Sequence, residues 1–107
     1  MKRIRQASWL LVAALAGCSS EVTLDELSGE WIGQTLKQDF QFDHNGKTRL
    51  RDRKHGVYMG RCRIEDGNRL NCSFERFSHP VQRDIRLSGD ELIMTDSNGH
   101  DEVYIRK

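Results

Sequence analysis

The sequence predicts an all-β domain, a small antiparallel up-and-down barrel or curled meander of about eight strands, carried behind an N-terminal signal peptide. Three observations lead there. From Gly29 onward apolar residues recur with period two. That alternation is interrupted at short intervals by Gly, Asn and Asp, with Pro80 the single proline. No stretch of this region sustains helical spacing.

The first element is the leader. Residues Met1 to Gln6 carry Lys2, Arg3 and Arg5 without an acid, and the eleven residues Ala7 to Gly17 have no charge, which is the basic-then-apolar order of a secretory signal. A membrane-spanning helix needs about 20 apolar residues. Here Glu21, Asp25 and Glu26 follow too soon. The segment ends Leu15-Ala16-Gly17-Cys18, which resembles the lipobox of bacterial lipoproteins. That resemblance implies cleavage after Gly17, a diacylglyceryl group on the Cys18 thiol and an N-acyl chain such as palmitate on its freed amine. Several acyl chains hold a protein to a bilayer far better than one, at about 0.8 kcal/mol per buried CH₂. Ser19 stands where an Asp would, in some bacteria, imply retention in the inner membrane. The expected address is therefore the periplasmic leaflet of the outer membrane, with the inner membrane as the alternative. No cofactor beyond these acyl chains is expected.

Domain boundaries follow: signal peptide 1–17, lipidated cysteine and tether 18–27, barrel domain 28–107. The tether reaches at most ~30 Å, and Leu24-Asp25-Glu26-Leu27 within it suits one helical turn. Losing the leader removes three of the 17 basic residues and none of the 16 acids, so the net charge falls from +1 to −2. Nothing in that balance points to nucleic acid.

The expected strands are Glu30–Leu36, Asp39–Phe42, Lys47–Arg53, Val57–Ile64, Arg69–Phe77, Val81–Leu87, Leu92–Thr95 and His100–Arg106. Side chains test the turns between them, because a one-residue slip exchanges the two faces of a strand. A three-residue loop ending in left-handed Gly46 sets Phe40 opposite Leu50 and Phe42 opposite Thr48. A two-residue turn at Gly89-Asp90 sets Leu87 opposite Leu92 and Ile85 opposite Met94. A two-residue type I′ turn at Asn98-Gly99 sets Met94 opposite Val103 and Leu92 opposite Ile105.

A turn at Asp66-Gly67-Asn68, with Asn68 left-handed, places Ile64 opposite Leu70, Gly60 opposite Phe74 and Cys62 opposite Cys72. Directly opposed residues lie about 4.5–5.5 Å apart at Cα, within reach of a disulfide. In an oxidising compartment that is the reading of Cys62 and Cys72. Two buried thiols or half a metal site are the alternatives, and no C-x₂-C pair completes a zinc site.

Leu27-Ser28-Gly29-Glu30-Trp31 contains a Gly-x-Trp that resembles the opening of lipocalin-like barrels and of small bacterial inhibitor barrels. A Trp plugging one end of a β core reads the same residues without kinship, and both predict a buried Trp31. Departures exist: Asp39 to Phe42 holds no cysteine, and the tyrosine, cysteine and Ser-Gly motifs of lysozyme-inhibitor lipoproteins are absent.

For function, the sequence excludes more than it assigns. His44, His55, His79 and His100 all fall in or beside turns, and no H-E-x-x-H, nucleophile elbow or glycine-rich phosphate loop occurs. An enzyme is not expected, nor is a metal. Residues 47 to 86 hold eleven basic and five acidic side chains, against one and six in residues 18 to 46. Arg49, Arg51 and Arg53 share one parity, and Arg61 and Arg63 share one on the next strand, so they are expected as a basic ladder on the outer face. Either the ladder binds an anionic partner, or it is a solvated exterior that resists aggregation. Phe77 beside Ser78-His79-Pro80 adds an aromatic loop suited to a partner's cleft, or to a lid. The expected function is a membrane-anchored protein-binding module, an inhibitor of an envelope-attacking hydrolase being the favoured kind. The alternatives are a lipocalin-type carrier of a small lipid-like ligand and an assembly lipoprotein of an envelope complex.

Overall fold

The computed structural model describes residues 21–107, so the expected signal peptide and Cys18 lie outside the described residues. One helical turn, α1 (Leu24–Leu27), precedes eight strands. They are β1 (Gly29–Gly33), β2 (Gln38–Phe42), β3 (Lys47–Asp52), β4 (Gly56–Glu65), β5 (Arg69–Phe74), β6 (Val81–Ser88), β7 (Glu91–Thr95) and β8 (Asp101–Arg106). Each strand pairs antiparallel with the next, and β8 returns to β1 through Trp31–Arg106, Ile32–Ile105 and Gly33–Tyr104. The sheet therefore closes as a small up-and-down barrel, consistent with a lipocalin-like one, and closure leaves no unpaired edge.

Alternation explains the filling. Trp31, Phe40, Phe42, Leu50, Leu70, Phe74, Ile85, Leu92 and Met94 are buried inside, and the residues between most of them are exposed. Thr48 is fully buried among them because its hydroxyl donates to the Gly46 carbonyl at 2.9 Å. Gly60 faces Phe74, and a Cβ there would collide with the Ser73 carbonyl and lie 2.6 Å from the Phe74 ring. Only glycine lets that ring cross the lumen.

Three of the four hairpin registers are as read from the sequence. Phe40 opposes Leu50, Ile85 opposes Met94, and Cys62 opposes Cys72 with a disulfide at a Cα separation of 4.0 Å. Asn68 has φ +59, as that turn required. The β7–β8 hairpin differs by one residue: Leu92 opposes Tyr104 rather than Ile105, and Met94 opposes Glu102 rather than Val103. A type I′ turn needs positive φ at both central residues, but only Gly99 has it, at +82. Instead the Asp96 amide donates to the His100 carbonyl at 3.0 Å, and the Asp96 carboxylate accepts the amides of Asn98 and His100, both at 2.9 Å. Asp43-His44-Asn45-Gly46-Lys47 and Asp96-Ser97-Asn98-Gly99-His100 thus form the same three-residue loop, each closed by its aspartate.

Two strand ends also fall three residues short of expectation. β1 stops at Gly33 rather than Leu36, because the amides of Thr35 and Leu36 turn to the Glu102 carboxylate. β5 stops at Phe74 rather than Phe77, whose amide folds back to the Phe74 carbonyl at 3.1 Å.

The two ends of the barrel are unlike. Loops 43–46, 66–68 and 89–90 share one end with α1, which closes it. Thr23 and Glu26 cap α1 reciprocally, and Leu27 and Trp31 are wholly buried, joined by an indole N–H to the Leu27 carbonyl at 2.8 Å. Arg106 lies 4.2 Å above the Trp31 ring and donates to the Ser28 and Glu26 carbonyls, both at 3.0 Å. It thereby satisfies carbonyls left open where the helix ends. Packing begins at Val22, whose amide donates to Asn68 at 2.8 Å, so part of the expected tether belongs to this plug. Loops 34–37, 53–55, 75–80 and 96–100 surround the other end, which is open.

Candidate functional site

The open end carries exposed apolar surface. Of the four large apolar side chains that stand in solvent among the described residues, Leu36 and Phe77 line the mouth, Val57 stands on the outer wall just below it opposite Arg51, and Ile105 lies elsewhere. Phe77 leans on Tyr58 and Phe74, with ring centroids at 5.1 and 5.2 Å, so the rim is preset by the core rather than loose.

Below the rim lies a cavity of about 270 Å³ bounded by Phe40, Leu50, Val81, Met94 and Tyr104, with Arg83, Asp96 and Glu102 among them. Glu102 latches the 34–37 loop, one carboxylate oxygen accepting the Thr35 and Leu36 amides at 2.9 and 2.7 Å. Asp96 is engaged in its own turn, and the His100 amide above all holds its carboxyl below the usual range. Tyr104 packs edge-on against Phe40 at 5.4 Å. Burial, with a smaller push from Glu102, drives its phenol ionisation well above the ordinary tyrosine range.

The basic ladder stands on the outer face, all five arginines exposed, but it divides into bound and available groups. Arg51 reaches Asp39 with two nitrogens at 2.6 and 3.2 Å, and Arg53 reaches its other oxygen at 2.9 Å while also donating to the Gly33 carbonyl. Burial alone would raise the Asp39 carboxyl, but the hydrogen bonds from Arg51 and Arg53, helped by the Gly33 amide, hold it below the usual carboxylate range. Asp39, Arg51 and Arg53 therefore lock β1, β2 and β3 together beside the mouth. Arg63 pairs with Glu65 at 2.9 Å. Arg61 donates only to the Asn45 carbonyl, at 3.2 Å, and lies directly opposite Lys47, with Arg49 two residues further along β3. Like charges placed directly opposite are unfavourable in a sheet. Lys47, Arg49 and Arg61 are thus a cationic strip with no carboxylate in ion-pairing distance among the described residues.

The histidines are not brought together. His44 meets Asp25 at 2.9 Å on the closed end, while His55 and His100 face the aspartates of their own mouth turns at 3.3 and 3.7 Å. Asp52, in the turn with His55, is pulled down to about 2, first by the Lys54 amide. No cluster of three His, Cys, Asp or Glu side chains suited to a metal occurs among the described residues, and no helix among them is long and apolar enough to cross a membrane.

Sequence reasoning missed Asp39, Arg83, Glu102 and Tyr104. Arg83 was accessible to it, since it shares parity with Val81 and Ile85 and must therefore point inward. Glu102 and Tyr104 were hidden behind the mistaken turn, which sent both outward.

Compared with known protein families, with curated proteins and with solved structures, the chain matches none.

Proposed function

We propose that this chain is a lipoprotein anchored through Cys18 at the periplasmic face of the outer membrane, and that its barrel is a protein-binding module that works through the open mouth. One observation carries the reading: Leu36 and Phe77 line the mouth in solvent, whereas the described chain joins the barrel through Val22 at the opposite, plugged end. Apolar side chains held in solvent by a rigid scaffold suit partner contact. A barrel fastened at its closed end presents that rim away from the bilayer.

The partner class we favour is a hydrolase that attacks the envelope, with the Phe77–Pro80 loop entering its cleft and the barrel acting as inhibitor. The Lys47, Arg49 and Arg61 strip, together with Arg63, lies toward the plugged end of the barrel wall, so it would steer a partner's approach from the side rather than touch the cleft, and speed encounter more than it tightens the complex. Arg51 and Arg53 serve the same face indirectly by fixing β1 and β3.

The test is photo-cross-linking in cells, with the reactive group placed at Leu36, at Phe77 or at Lys107, followed by mass spectrometry of the adducts and of the processed N-terminus. One protein captured in stoichiometric amount from the two mouth positions and not from Lys107, on a chain whose Cys18 carries acyl groups, supports the proposal. Capture from Lys107 alone, or an unmodified Cys18, overturns the orientation or the anchor respectively.

A further inference from the structure

Alternation puts apolar side chains inside a barrel and leaves its outer face polar. β3, β5 and β6 keep to this, since every residue they turn outward is charged or polar. β1, β7 and β8 do not. Ile32 lies between buried Trp31 and Gly33, Ile93 between buried Leu92 and Met94, and Val103 and Ile105 flank buried Tyr104, so these four point outward. Three of them are half-buried by their neighbours, and Ile105 is 37% exposed.

The register joins the four into one patch. Ile32 opposes Ile105 across β1 and β8, and Ile93 opposes Val103 across β7 and β8. Opposed side chains lie about 5 Å apart at Cβ, and the two pairs are about 7 Å apart along β8. On β4, by contrast, Val57 and Met59 each oppose an arginine of β3, which interrupts their apolar surface. Strands apolar on both faces are those covered on both faces, and the barrel interior covers only one face of β1, β7 and β8.

The rim of the patch favours one kind of cover. Arg86, opposite Ile93, pairs with Asp101 at 3.2 Å, and Lys107 pairs with Glu30 at 3.6 Å. Glu91 opposes Ile105 and has no cation in ion-pairing distance among the described residues. Both signs therefore surround the patch, with one acid left over. A second copy of the same wall meets this rim without a large surplus of like charge, whereas an anionic bilayer surface would meet three acids. The opposite wall, with Lys47, Arg49 and Arg61, would repel its own copy. Barrels fastened at their closed ends hold their mouths the same way, and a two-fold axis along the bilayer normal brings the same wall of each together, an isologous contact.

We propose that the outer wall of β1, β7 and β8 is the surface through which two copies of this chain associate side by side, with Ile32, Ile93, Val103 and Ile105 at its centre and Glu91 of each copy taking a cation of the other. The side-by-side orientation rests on the anchor proposed above, and the wall itself does not. Four aliphatic side chains make a small contact beside the roughly 1,200 Å² at which standard interfaces begin. The dimer is accordingly weak in solution, and confinement of anchored copies to one leaflet raises their effective concentration.

Residues 21–107 hold the whole closed barrel and its disulfide. Sedimentation equilibrium of this domain, at concentrations rising to about a millimolar, should show a monomer–dimer equilibrium. Ile105→Lys sets a lysine opposite Glu91, a favourable cross-strand pair that suits the folded barrel. It should raise the dissociation constant about tenfold or more, as loss of one buried aliphatic contact allows. Val57→Lys, on the other wall, should leave that constant unchanged. In cells, a photo-reactive group at Ile93 of the full chain should give an adduct of two copies, and Ile105→Lys should remove it. A domain that stays monomeric throughout, an Ile105→Lys variant that associates like the parent, or an Ile93 adduct with a foreign protein or a lipid instead of a second copy overturns the inference. The captured species is the chain itself, so this outcome is separate from the foreign partner sought at the mouth, and the domain measurement is separate from the anchor.

Discussion

Replacing Asp39 by Asn tests the arrangement that holds the mouth to the barrel. The carboxylate is 4% exposed, and it receives two nitrogens of Arg51, one of Arg53 and the Gly33 amide. Hydrogen bonds to a charged group are worth about 1.5–3 kcal/mol each. The arginine side chains are 51% and 37% exposed and can recover water, so a large discount applies. A net loss of about 2 kcal/mol follows, which for a domain of this size lowers the melting temperature by roughly 10 °C. Thermal and urea unfolding of Asp39→Asn beside the parent would measure it. The pH dependence gives a second, independent reading. Because the folded carboxyl titrates below its unfolded value near about 3.9, its stabilisation is complete above that value and disappears as pH falls through the folded one. The gap between parent and variant should therefore be full at neutral pH and shrink steadily below about pH 4. A variant within about 0.5 kcal/mol of the parent at pH 7, the ordinary range for a surface change, would refute the claim that this carboxylate joins three strands.

Replacing both Cys62 and Cys72 by Ala opens a loop of sequence separation 10, and the loss of unfolded-state constraint is just under about 3 kcal/mol, to which lost packing adds. Chemical denaturation with and without reductant checks it, and a reduced parent should behave nearly like the variant. Gly60→Ala drives a methyl into the Ser73 carbonyl and the Phe74 ring, so a loss of at least about 1–3 kcal/mol is expected, read as a lower urea midpoint. Tyr104 has a raised folded ionisation, so its contribution is whole below the unfolded value near about 10 and is lost as pH rises. Tyr104→Phe should accordingly flatten the alkaline fall in stability, measured by melting between about pH 9 and 12.

The fold was legible because period two and turn chemistry act together. Phe40, Leu50, Ile85 and Met94 fall on one face by alternation alone, and the opposed cysteines follow from the same count. Strand ends were less legible, since Glu102 is far from Thr35 in sequence and nothing local marks it as the group that ends β1. The site was only partly legible. Parity located the arginine ladder on the outer face, but it could not reveal that Asp39 occupies Arg51 and Arg53, a contact set by three strands at once.

The β7–β8 turn shows how a local choice decides the chemistry of a distant cavity. Asn-Gly is the strongest two-residue hairpin signal, and taken alone it would bury Val103 and Ile105 and turn Glu102 and Tyr104 outward. The mouth would then lose Glu102 and Tyr104 from its wall, and the Thr35 and Leu36 amides would lose their acceptor. Asp96 prevents this. By accepting the Asn98 and His100 amides it favours the three-residue loop, as Asp43 does for Asn45 and Lys47. The slip of one residue then places Ile105 in solvent at 37% exposure, which costs apolar burial. In return Tyr104 packs against Phe40 and lines the cavity. A register chosen for burial alone would have kept Ile105. The one adopted gives up that burial and sets Glu102 and Tyr104 in the mouth wall, where Glu102 holds the 34–37 loop and gives the cavity a polar side.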